Sequence, residues 1–101
     1  NMTNFVACDT INTIGTSFQG TVKTTYDNLV KVFGEPTAMD ASPYEKVNAQ
    51  WSVEAKDKDN TVFTIYNWKD GYVPTEEYDW HIGGYDFNAF SVATDILDNK
   101  K

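Results

Sequence analysis

His81 is the only histidine in the 101-residue chain and Cys8 the only cysteine. A zinc site needs several such side chains brought to one point, so no metal is expected. Asp79, two residues before His81, falls on the same side of an extended strand, which leaves a carboxylate–imidazole pair open. Ser17, Ser42, Ser52 and Ser91, however, sit in no sharp strand-to-helix turn of the kind that presents a nucleophile. His81 therefore reads as a histidine on a wet sheet face. The acid pairs Glu76-Glu77 and Asp57-Asp59 fall in turns, without the apolar pocket that would raise one pKa. "DKDN" (57–60) has part of a calcium-loop spacing but neither its glycine nor its distant bidentate Glu. No catalytic residue and no cofactor is expected, and the chain reads as a non-enzyme.

Chemistry of a different kind is concentrated in "TIYNWKDGY" (64–72) and "EYDWHIGG" (77–84). Phe63 and Ile65 alternate onto one side of a strand, whereas Tyr66 and Trp68 share the other. Tyr78 and Trp80 share a side of the next strand. Rings on neighbouring antiparallel strands can stand side by side, so Tyr66, Trp68, Tyr78 and Trp80 are the candidate binding residues. Together they would make one aromatic row, and a row of four uncovered rings is unusual on a monomer. Asn67 points away from Tyr66 and Trp68. If buried, its amide needs partners and ties down the turn that follows.

The elements that must carry these residues alternate between two periods. "TSFQGTVKT" (16–24) has period two, with Phe18, Gly20 and Val22 on one side; Gly20 marks a bulge or a close approach. "TTYDNLVKVFGEP" (24–36) is a helix with Thr24 as cap, an apolar stripe at Tyr26, Leu29, Val30 and Phe33, and Gly34 and Pro36 as stop signals. "KVNAQWSVEAK" (46–56) places Val47, Ala49, Trp51, Val53 and Ala55 on one dry face. "TVFTIYNW" and "EYDWHIGG" complete a three-strand meander, the latter ended by Gly83-Gly84. "DFNAFSVATDILDNKK" (86–101) reads as a second helix, with Asp86 as cap, a stripe at Phe87, Phe90, Ala93 or Thr94, and Leu97, and Lys100 and Lys101 at its end. The expected fold is α+β: an antiparallel sheet of about four strands, in the order strand, helix, three-strand meander, helix, with the helices on one face. Residues 1–15 form an N-terminal arm or edge strand and residues 16–101 a single domain.

Charge narrows the partners. Eight lysines, no arginine and fifteen acids give a formal charge of −7. Arginine supplies the bidentate contacts that phosphates and base edges favour, so direct nucleic-acid binding is not expected. One cysteine allows no internal disulfide. No stretch reaches the ~18 apolar residues of a membrane span, and a soluble protein without membrane contact is expected. The aromatic face leaves room for a homo-oligomer in which a second subunit covers it.

The run "SFQGTVKTTYDNLVKVFGEPT", "KVNAQWSV", "TVFTIYNWKDGY" and "EYDWHIGG" resembles small uncharacterised proteins encoded by bacteriophages, over most of residues 16–84. "FGEP", "TIYNWK" and "WHIGG" carry the likeness. More loosely, a helix ending in "FGEP" before a strand with a central Trp is similar to the repeats of the outer-membrane assembly lipoprotein and β-lactamase-inhibitor fold, in architecture only. The phage resemblance implies an accessory protein in a host cytoplasm that binds a host or phage protein. A non-enzymatic protein-binding module is the leading expectation. The alternative is a protein that sequesters a small, nucleotide-like molecule against its aromatic patch, with Lys23, Lys46 and Lys69 available for charge.

Overall fold

A computed structural model of the chain describes residues 4–99; residues 1–3 of the arm, and Lys100 and Lys101 at the end of the second helix, lie outside them. One antiparallel sheet contains β1 (Phe5–Ala7), β2 (Ser17–Thr24), β3 (Ala38–Met39), β4 (Ala49–Ala55), β5 (Thr61–Tyr66) and β6 (Tyr78–Gly84). Helices α1 (Tyr26–Phe33) and α2 (Asn88–Asn99) pack on one face, and a 3-10 turn spans Thr10–Thr13. The spatial order is β1-β4-β5-β6-β2, with β3 also on β4. The α+β class and the β4-β5-β6 meander follow the alternation in the sequence, but the sheet has six strands and not about four.

The two additional strands share the outer edge of β4. β1 pairs with Val53–Ala55 and β3 with Ala49 and Gln50. Between them the Ser52 N–H donates to Thr37 Oγ1 at 2.6 Å, and the Ser52 carbonyl accepts from the Cys8 N–H at 3.0 Å. Main-chain groups removed from water need partners, so two short segments, one carrying β1 and Cys8 and the other Thr37 and β3, together complete this edge. Each is too short for a two-residue period to register.

Helix α1 starts one residue later than expected. Thr25, not Thr24, is the cap: its Oγ1 accepts from the Asn28 N–H at 3.1 Å, while Thr24 Oγ1 accepts from the Asn28 side-chain amide at 2.9 Å. Gly34 ends the helix with φ 87°, a left-handed conformation that suits glycine. Its carbonyl accepts from Trp51 Nε1 at 2.8 Å, which fastens the helix end to β4. Leu29 and Val32 are buried, and Tyr26 and Phe33 meet Trp51 and Phe63 with ring centroids 5.6 and 5.8 Å apart.

The buried stripe of α2 is Ala89, Val92, Ala93, Ile96 and Leu97; Phe87 is exposed and Phe90 half-buried. The expected stripe through Phe87 and Phe90 is therefore rotated. Gly83 and Gly84 are the last two residues of β6, which ends there as expected, and a Cβ on Gly84 would collide with that of Ala89. The helix comes so close to the sheet that only small residues fit at the crossing. Phe90 is turned to the side, over Gly20, where an added Cβ would stand 2.8 Å from its ring.

Two phase shifts decide which side chains reach the opposite, helix-free face. In β2 the register slips between Phe18 and Gly20, so Phe18 pairs with Gly83 while Gly20 and Val22 pair with Ile82 and Trp80. This bulge reverses Phe18 relative to Gly20 and Val22, against the expectation that all three share a face. Before β4, Asn48 is buried, and Val47 lines the open face beside Gln50 and Tyr66 instead of joining the dry face.

Leu29, fully buried between helix and sheet, should cost roughly 2–5 kcal/mol when truncated to Ala. Urea unfolding of Leu29→Ala measures this, and a loss under about 1 kcal/mol would mean that α1 docks elsewhere.

Candidate functional site

The four rings expected in one row are divided between the two faces. Tyr66 pairs with His81, and Ile65 with Ile82, so β6 sends His81 to the open face and Trp80 beneath the helices. Trp80 is 0% exposed and stands edge-on to Trp51 at 5.5 Å and to Tyr78 at 5.2 Å. Tyr78 is half-buried against the same core. Tyr66 and Trp68 stay on the helix-free face, joined by two residues that the sequence reading did not select, Phe18 and His81.

His81 is central to this group. Its ring lies 5.1 Å from Phe18, 5.4 Å from Tyr66 and 6.5 Å from Trp68, centroid to centroid, and Tyr66 and Trp68 meet at 6.2 Å. The four line a shallow, open hollow of about 390 Å³. Phe18 is 55% exposed and Trp68 39%. The expected histidine on a wet sheet face is thus walled by three rings. Asp79 does not orient it: that carboxylate faces Lys23 at 3.4 Å, and His81 Nδ1 has no hydrogen-bond partner among the described residues.

Beside the hollow runs a trough of about 310 Å³, lined by Thr10, Thr13, Thr16, Gln50 and Thr64 among others and bounded by Tyr66 and Trp68. The 3-10 turn forms one wall, held by the Tyr85 hydroxyl, which reaches the carbonyls of Asn12 at 2.7 Å and Ile14 at 2.8 Å. The N-terminal segment thereby covers part of the open face and leaves the rings uncovered.

Trp68 is positioned from below. Asn67, fully buried, accepts from the N–H groups of Asn48 (2.8 Å) and Ala49 (2.9 Å) through Oδ1. Its Nδ2 shares two protons among Asn48 Oδ1 (3.1 Å), Asp70 Oδ2 (3.1 Å) and the Tyr72 carbonyl (3.2 Å). The Tyr78 hydroxyl donates to Asp70 Oδ2 at 2.6 Å and accepts from the Trp68 N–H at 3.1 Å. Tyr78, a candidate binding residue by sequence, holds the turn that presents Trp68. The buried Asn67 amide ties down that turn as its need for partners implies.

No group of three or more potential metal ligands occurs among the described residues. Burial, helped by Glu54 and Asp9, pushes the Cys8 thiol above its usual range, opposite to an activated nucleophile. No described helix is long and apolar enough to cross a membrane. Comparison with family models, curated proteins and solved structures finds no match.

Burial, and then the hydrogen bond to Asp70, pushes the Tyr78 phenol from 10.0 up to about 12. Folding therefore favours the neutral phenol. Its contribution is fully present below pH 10 and is lost as pH rises toward 12, on the order of 2 kcal/mol at the upper end. Urea midpoints measured from pH 8 to 11.5 should fall over that window and fall less steeply in Tyr78→Phe. A residual slope is expected from Tyr26 and Tyr66, whose phenols burial also raises.

Proposed function

We propose that this chain is a non-enzymatic binding module that grips an extended segment of a protein partner on the helix-free face of its sheet. The observation that carries this reading is the four-ring hollow of Phe18, Tyr66, Trp68 and His81, shallow and open to solvent. Sites for small molecules enclose most of their ligand; this one offers a rigid aromatic anchor point and a polar trough leading away from it. Such an arrangement suits one buried side chain and a few residues of flanking main chain. In keeping with the phage resemblance, the partner is taken to be a host or phage protein and the setting a host cytoplasm.

Phe18→Ala and Trp68→Ala remove exposed rings and should change thermal stability little. Selection of displayed random peptides on the wild-type protein, with the double variant as competitor, should enrich sequences that share an apolar or aromatic residue. Enrichment of the same peptides on both proteins, or of none on either, would count against this face as the binding surface.

A further inference from the structure

The sheet is covered at one edge and bare at the other. Along β4, the strands β1 and β3 pair with the outer main chain. On the far side β2 pairs only with β6, and its main chain makes no other hydrogen bond among the described residues. A bare edge of eight residues presents a row of unpaired N–H and C=O groups, a template for another strand. Proteins that keep such an edge unpaired bend it away or set charges along it. Here the bulge is confined to residues 18–20, and residues 20–24 run in unbroken register along 78–82. The one charge on β2, Lys23, is met by Asp79 of the neighbouring strand at 3.4 Å.

Aromatic rings flank this edge on both faces of the sheet. On the helix-free face stands Phe18, more than half exposed, the β2 wall of the hollow. On the helix face Phe90 lies over Gly20, and Phe87 stacks on Phe90 with centroids 5.2 Å apart and planes 25° from parallel. Phe87 is 61% exposed. Successive side chains of a strand point to opposite faces. A strand laid along β2 would therefore set side chains of one phase toward Phe18 and those of the other toward the Phe87–Phe90 stack. The sheet separates the two places, so a molecule seated in the hollow alone touches only the first.

We infer that an extended segment of the partner protein adds to the sheet as a further strand, hydrogen-bonded to β2. An apolar side chain packs on Phe18, and one of the opposite phase packs on Phe87 and Phe90. This rests on the binding-module reading and supplies its mode: main-chain pairing gives affinity, and the two aromatic places select apolar residues in both phases. A docked helix satisfies its main-chain groups within itself and cannot pair with β2. A second copy of this chain would set another formal charge of −7 beside the first, a repulsion that a segment of a different protein does not meet.

The probe is a synthetic peptide enriched on the wild-type protein by display, with its amides methylated one at a time. In an added strand alternate N–H groups point to β2. Methylation should therefore weaken binding at every second residue, roughly tenfold or more, and spare the residues between. Phe87→Ala, at an exposed position on the face away from the hollow, should barely change thermal stability and should weaken the same peptide about fivefold. Alternate main-chain N–H groups within residues 20–24 should exchange with solvent deuterium about tenfold more slowly in the complex. Binding that needs Phe18 and Trp68 but shows no two-residue period overturns the added strand and leaves the binding-module reading intact, as does indifference to Phe87→Ala. A dimer of the free protein whose β2 amides are already protected overturns the inference in favour of a second copy. A selection that enriches no peptide removes both readings.

Discussion

Asn67 is the side chain on which the exposed face depends. Its amide is completely buried, and an unpaired amide in that position would cost about 1–3 kcal/mol. It therefore has to recruit the chain around it. One end draws in the main chain entering β4, and the other draws in Asp70 and the Tyr72 carbonyl. Asp70, so held, accepts the Tyr78 hydroxyl, which in turn holds the Trp68 N–H. A polar group in the interior thus fixes the position of an indole on the surface. A site presented by a turn gains rigidity when that turn is satisfied from below, because the ordering entropy is lost on folding and not on binding.

The sheet keeps its two faces chemically distinct with very few residues. Beneath the helices, Trp51, Trp80 and Phe63 form a dry aromatic core, and the glycines at the crossing let α2 approach closely enough to seal it. On the other face Phe18, Tyr66, Trp68 and His81 gather where no helix lies. The same β6 strand supplies Trp80 to one assembly and His81 to the other. Core packing and the exposed aromatic group are consequently carried by adjacent residues, and the exposed set can be altered without opening the core.

The sequence by itself determined the α+β class, the three-strand meander, helix α1 with its glycine stop, and the need of the Asn67 amide for partners once buried. Each of these rests on a local period or a local chemical need that a few neighbouring residues satisfy. Tyr66 and Trp68 were legible as a same-face pair for that reason. Their companions were not. Tyr78 and Trp80 looked like neighbours because both alternations are aromatic, but alternation within a strand says nothing about which of its phases lies beside which phase of the next. Cross-strand register decided that, and it put His81 beside Tyr66. A single bulge brought Phe18 over to join them, and a close Gly–Ala crossing set Ala89, Val92, Ala93, Ile96 and Leu97 against the sheet in place of the stripe through Phe87 and Phe90. Only the tertiary structure could settle these, because a one-residue shift exchanges the two faces of a strand at little local cost.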